Sequence, residues 1–144
     1  MRTETPVTLY LKDYAPPAWL VDTVDLFVSL RDDHAEVRAR LACRRNPAGK
    51  GGALVLDGEA LELCSVVVDG VVHAAGAYDY AHGKLTIPGV LPEQVTLETV
   101  VRIAPDKNTQ LSGLYRSRDG YFTQCEAEGF RRITFFPDRP DVMA

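Results

Sequence analysis

The alternation of apolar and polar positions is strongest between residues 24 and 43. Val24, Leu26, Val28 and Leu30 alternate with Asp25 and Ser29, and only Phe27 interrupts the polar side. Residues two apart share one face of a strand, so this period predicts a half-buried β-strand. After Asp32 and Asp33 the alternation resumes, with Ala35, Val37, Ala39, Leu41 and Cys43 on one side and His34, Glu36, Arg38 and Arg40 on the other. Two such runs joined by a short polar turn predict a β-hairpin. Before them, the segment to Leu20 holds Pro6, Pro16 and Pro17 with Tyr10, Tyr14 and Trp19. The prolines argue against a helix and the aromatics against a free tail, which predicts an extended arm packed on the body.

Arg44 to Gly52 contains Arg44-Arg45, Asn46-Pro47 and a run of glycines, and predicts a turn. Short apolar runs follow at Ala53 to Leu56, Leu61 to Val68, Val71 to Ala74, Lys84 to Ile87 and Gln94 to Ala104. Asp57-Gly58, Asp69-Gly70 and Pro88-Gly89 punctuate them, and Asp-Gly between apolar runs predicts a hairpin turn. About seven short strands with no amphipathic helix among them predict an all-β fold, an antiparallel β sandwich or saddle-like sheet. The same pattern assigns Val24, Leu26, Val28, Val37, Leu41, Val95, Leu97, Val101 and Ile103 to the core. The pattern changes after Ala104. Pro105 to Gly120 is polar and turn-rich, and Tyr121 to Phe136 mixes aromatics with Cys125, Glu126, Glu128, Gly129, Arg131 and Arg132, a mixture that few folding reasons demand.

Composition narrows the classes. A length of 144 residues and a mass of 15.9 kDa predict a single β domain over residues 1–144. The formal charge of −4 disfavours a phosphate-backbone binder, so no nucleic acid is expected as a partner. The longest uncharged apolar stretches, 65–68 and 71–77, are far short of the roughly 20 residues of a bilayer span, so no membrane is expected either. Met1 to Pro6 carries Glu4 and lacks the apolar run of a secretory signal, which predicts a cytoplasmic location. Cys43, Cys64 and Cys125 show no Cys-x-x-Cys spacing and are expected as reduced thiols.

Few of these residues suggest chemistry by spacing. His34, His73 and His82 fall in three different expected elements without a His-x-x-x-His pair, so no metal site is expected from them. Cys125 beside Glu126 would need a histidine brought close by folding to act as a nucleophile; otherwise it is a partly buried structural thiol. Ala48-Gly49-Lys50-Gly51-Gly52 lacks the first glycine and the Ser or Thr of a phosphate loop, and a flexible hairpin loop accounts for it.

Gly113-Leu114-Tyr115-Arg116-Ser117, followed by Tyr121-Phe122-Thr123-Gln124-Cys125-Glu126-Ala127-Glu128-Gly129-Phe130-Arg131-Arg132 and then Ile133 to Val142, strongly resembles the bacterial branch of the aminopeptidase N family of zinc metallopeptidases, the gluzincins. Asp13-Tyr14-Ala15-Pro16-Pro17 and Leu56-Asp57-Gly58-Glu59-Ala60-Leu61 fit the same N-terminal region, so the resemblance runs from about Leu9 to the end. It implies a saddle-like β sandwich that packs over a thermolysin-like catalytic domain.

The resemblance also implies that Gln124 and Glu126 bind substrate, contacting the free α-amino group at the N-terminus of a peptide. A carboxylate reads an ammonium in a way that an internal amide cannot satisfy, and a neutral carbonyl beside it avoids a second like charge. Tyr121, Phe122, Phe130, Phe135 and Phe136 are expected to pack against the sheet, and Arg131 and Arg132 to serve as structural or surface ion-pair residues.

The family's Gly-x-Met-Glu-Asn motif, His-Glu-x-x-His helix and downstream glutamate are absent before the chain stops at Asp141-Val142-Met143-Ala144. No catalytic and no metal-ligating residue is therefore expected here. Zinc in the parent enzyme would be bound by the catalytic domain, which is also the expected protein partner. The domain is expected to be inactive alone. An alternative is a non-catalytic protein-interaction β domain using the surface normally docked on the catalytic domain; a third reading is a self-contained hydrolase built on Cys125 and a histidine.

Overall fold

A computed structural model describes Thr8 and residues 10–143. Among them are ten strands: β1 (Trp19–Leu30), β2 (Ala35–Arg45), β3 (Leu54–Asp57), β4 (Glu62–Val68), β5 (Val71–His73), β6 (Asp79–Ala81), β7 (Lys84–Ile87), β8 (Gln94–Ile103), β9 (Gly113–Ser117) and β10 (Gly120–Gln124). They form a five-stranded sheet in the order β1-β2-β8-β4-β5, a three-stranded sheet β3-β7-β6 and a two-stranded sheet β10-β9, and every pairing is antiparallel. The all-β expectation holds.

The centre of the large sheet follows the alternation in the sequence. Val37 pairs with Val101, Leu41 with Leu97 and Cys43 with Val95, all on one buried face. Leu54 and Leu56 of β3 and Leu85 and Ile87 of β7 are fully buried in the same core. Phe135 enters that core from the C-terminal segment, its ring 4.9 Å from that of Tyr80 and nearly perpendicular to it. Phe136 exchanges backbone bonds with Asp57 at 2.8 and 3.1 Å and so fixes the chain after residue 130 to β3.

Strand β1 departs from the expectation in two ways. It begins at Trp19, because a bulge between Val21 and Thr23 shifts the phase by one residue. Trp19 and Val21 therefore share a face with Val24, Leu26 and Val28, although they have the opposite parity in sequence. The assignment of that face was right and its burial was not: Leu26 is 42% and Val28 41% exposed, and Val24 is only half-buried. The three-stranded sheet shares one core with the five-stranded one, and the far half of edge strand β1 extends beyond that shared core. Val37, Leu41, Val95, Leu97, Val101 and Ile103 are buried as expected.

Turns and arm also differ in part. Asp69-Gly70 forms the expected two-residue hairpin turn, with φ of 48° and 79°. Asp57-Gly58 instead carries the chain between sheets, from β3 to β4, as Pro88-Gly89 does from β7 to β8. Gly58 is required by close approach, since a Cβ there would lie 2.3 Å from the Phe135 ring. Strand β9 lies in the stretch 105–120 that reads as polar and turn-rich, because a short half-exposed strand carries little periodicity. In the N-terminal arm Trp19 is buried while Tyr10 and Tyr14 are exposed. Tyr14 bonds Asp141 at 3.0 Å. Pro6 and the segment Met1 to Pro6 lie outside the described residues.

Candidate functional site

Gln124 ends strand β10, where it pairs with Gly113. The hairpin that carries it belongs to neither larger sheet, so its position depends on what holds its open end. On one side Leu114 is buried, and the Asn108 amide donates to the backbone carbonyls of Ser112 and Leu114 at 2.8 and 2.9 Å. On the other side the chain turns at once. Gly129 donates its N–H to Cys125 at 2.9 Å, and the 3-10 turn Phe130–Arg132 follows. A Cβ on Gly129 would lie 2.4 Å from the Gln124 carbonyl oxygen, so only glycine lets the turn close this tightly. Within the turn the Glu126–Ala127 peptide is cis and Glu128 adopts a φ of 62°.

This construction brings Gln124 and Glu126 to the rim of one open depression of about 540 Å³. Gln124 donates its side-chain N–H to the Glu126 backbone carbonyl at 3.1 Å, which leaves its own side-chain carbonyl as an acceptor. Glu59, Glu128 and Arg132 line the same depression. The carboxylates differ in their partners. Glu59 is paired with Arg132, and Glu128 lies 3.6 Å from Arg131. Among the described residues the Glu126 carboxylate makes no ion pair. Such an arrangement suits a small cation with several N–H donors, which would meet a carboxylate and a neutral carbonyl two residues apart.

The neighbouring residues are mostly structural. Arg131 is held between Asp138, at 3.0 Å, and Asp57, at 3.9 Å. Phe130 packs edge-on against Phe136 with centroids 5.1 Å apart. Phe122 departs from the packing expected of it: it is 49% exposed and stacks on Tyr115 at the outer part of the hairpin. Burial first, and Asp138 second, push the Cys125 thiol above its ordinary pKa, the opposite of what an activated nucleophile needs.

Glu59 is the lining residue that sequence reasoning missed, and Arg132, expected as an ion-pair residue, is its partner. Their pairing spans 73 positions, and no local pattern announces it.

A family resemblance to zinc enzymes raises the question of a metal. Among the described residues no group of three or more His, Cys, Asp or Glu is brought together. His34 bonds Asp33 at 2.6 Å, and the Nδ1 of His73 is buried without a hydrogen-bond partner. These residues do not fit a zinc centre.

Comparison with known proteins bears on the same region. No protein-family model matches. The chain is 46% identical over 144 residues to aminopeptidase N of Caulobacter vibrioides, covering 100% of this chain and 16% of that protein. Aminopeptidase N of Escherichia coli is 40% identical over 142 residues, 99% of this chain and 16% of its own length. Over its whole length the chain is similar to aminopeptidase N. It spans about a sixth of the length of the curated relatives it matches. Legionella pneumophila aminopeptidase A, solved in complex with aspartic acid, superposes with a TM-score of 0.82 at 31% identity, over 91% of this chain and 16% of that one. An M1 zinc metallopeptidase variant of Deinococcus radiodurans, solved with a Tyr-Ser-Ala substrate, gives a TM-score of 0.68 over 89% of this chain and 31% of that one. At 15% identity that likeness shows the fold alone. Aminopeptidase N-terminal domains thus share both the fold and, in the closer relatives, the sequence of this chain.

Proposed function

We propose that this chain is the substrate-end-recognising N-terminal domain of a zinc aminopeptidase, which removes N-terminal amino acids from peptides in the cytoplasm. Residues 1–144 act as one β domain that caps an active site formed by a separate catalytic domain of the same enzyme. That domain holds the zinc and breaks the peptide bond; this one binds and orients the chain end. Identity to aminopeptidase N over the whole chain supports the assignment.

The observation that carries the role of the site is the pairing pattern in the depression. Glu59 and Glu128 have arginine partners while Glu126 has none among the described residues, and Gln124 offers its carbonyl beside it. In the assembled enzyme the α-ammonium of the substrate supplies the charge that balances Glu126. An internal amide or an acetylated terminus brings no such charge and leaves the carboxylate desolvated without compensation. Exposure of Glu126 in the isolated chain is consistent with a contact completed by an opposing domain.

Substitution in the full-length enzyme tests this. Glu126→Ala is expected to lower kcat/KM for free-amino substrates by about 1.5 to 3 kcal/mol, roughly tenfold to a hundredfold. Gln124→Ala removes a neutral partner and is expected to cost less. An N-acetylated substrate, with no ammonium to lose, should react poorly with either enzyme and show little further loss. A kcat/KM unchanged within twofold in Glu126→Ala would remove the assigned role.

A further inference from the structure

We propose that Arg132, braced by Glu59, is a positioning residue that sets where the β9–β10 hairpin presents Gln124 and Glu126 to substrate; the inference rests on the amino-group reading above. An isolated two-stranded hairpin is marginally stable, so its placement must come from outside its own ladder. Arg132 supplies contacts at both ends of the recognition segment. Its Nε donates to the Ser112 carbonyl at 3.2 Å, one residue before Gly113, the cross-strand partner of Gln124. Its backbone N–H donates to Gly129 at 3.1 Å, and Gly129 closes the turn that begins at Cys125. Gly113 and Arg132 also meet directly, since a Cβ on Gly113, whose φ is 75°, would lie 2.6 Å from the Arg132 Cβ. A shift of Arg132 therefore moves both ends of the segment 124–129.

The guanidinium is suited to this by shape. With a side chain only 12% exposed, it reaches Ser112 through Nε and Glu59 through Nη1 at the same time. A planar fork holds two acceptors in fixed directions, whereas an ammonium on a flexible stem does not. Glu59 is itself tied to the same turn, through its N–H to the Arg131 carbonyl at 2.9 Å. The pair also controls charge. Glu59 lines the same depression as Glu126, and without its arginine it would offer a substrate ammonium a second, misplaced carboxylate.

Geometry and charge together give a kinetic signature distinct from that of Glu126. Arg132→Met in the full-length enzyme leaves the cavity more negative, so KM for free-amino substrates is expected to stay level or fall. The chain end is held off its productive position, so kcat is expected to fall roughly tenfold, since a displacement of about 1 Å is enough for such a loss. Glu126→Ala, measured in parallel, loses kcat/KM by removing the contact itself. Arg132→Lys keeps the charge without the fork, so it should leave kcat low. Arg132→Met/Glu59→Gln, which removes the stray carboxylate, should raise KM relative to Arg132→Met without restoring kcat.

Amide hydrogen exchange should quicken in residues 113–124 of Arg132→Met while β2 and β8 keep their protection. If Arg132→Met fails to fold, Glu59→Gln serves, because Glu59 is half exposed and its loss removes only the brace; a smaller kcat loss in the same direction is expected. Kinetics within twofold of the parent in Arg132→Met, or in Glu59→Gln where it must serve, would overturn the positioning role, and the recognition reading would stand if Glu126→Ala remained impaired. Silence of Glu126→Ala would remove the recognition reading and this inference with it.

Discussion

At the scale of single residues, the three thiols have distinct environments. Cys43 lies on the closed face of β2, where burial, with a smaller contribution from Asp22, pushes its pKa from 9.0 up to about 12. Such a group holds its proton more tightly in the folded chain than in the unfolded one. Its contribution to stability is therefore complete below pH 9 and is lost as pH rises from about 9 toward 12. Cys64 is exposed at a bulge in β4, and Cys125 is exposed in the turn beside Glu126 with a raised pKa. A disulfide reagent at mild alkaline pH should modify Cys64 first, Cys125 more slowly, and Cys43 only at the rate of global unfolding. Equal rates for Cys43 and Cys64 would show that the β2 face is open. The sequence carries part of this: Cys43 continues the apolar alternation from Ala35, and its burial follows from that period. The roles proposed for Gln124 and Glu126 come only from the long motif around them, because two polar residues in a polar segment have no period to betray a site.

At the scale of elements, the connections were harder to read than the strands. Local alternation located β2 and β8 because their partners face the same core, yet Asp57-Gly58 carries the same dipeptide signal as a hairpin and is not one. Its carboxylate, buried to 7% exposure, explains why an aspartate stands there. It pairs with Lys84 across the β3–β7 ladder, accepts the Asp138 N–H at 3.0 Å and approaches Arg131 at 3.9 Å. One side chain thus fastens the small sheet to the segment that returns from the candidate site. Asp57→Ala leaves Arg131 and the Asp138 N–H short of a partner, and breaking a buried pair in this way costs about 3 kcal/mol. Lys84→Ala removes a half-exposed partner and should cost about 1 kcal/mol or less. Chemical denaturation of both variants checks the order, and an Asp57→Ala midpoint no lower than that of Lys84→Ala would refute it. These partners lie 27 to 81 positions apart, which is why no local pattern announces them.

At the scale of the whole molecule, the sheets are unequal, and the difference shows at both ends of the large sheet. Leu26, Val28 and Leu30 of β1 point to the covered side without being covered, while Val71 and Val72 of β5 are exposed at the opposite edge. Alternation tells which residues share a face but not how far the shared core extends, so this exposure was outside what one strand's pattern can express. The candidate site is likewise an open rim, holding the groups proposed for recognition and, among the described residues, no cluster of metal-ligating side chains. Hydrolysis of a peptide bond at neutral pH requires an activated nucleophile, and the described residues bring no three metal-ligating side chains together and hold the Cys125 thiol above its ordinary pKa. The purified 144-residue chain is therefore expected to carry no stoichiometric zinc and to hydrolyse no aminoacyl reporter substrate. Metal analysis and a fluorogenic assay on the same preparation check this. One tightly held zinc per chain would mean that the histidines find a geometry absent here, and turnover without metal would revive Cys125 as a nucleophile. Turnover that appears only when the catalytic domain is added, and fails again with Glu126→Ala in this chain, would be the outcome that a recognition domain requires.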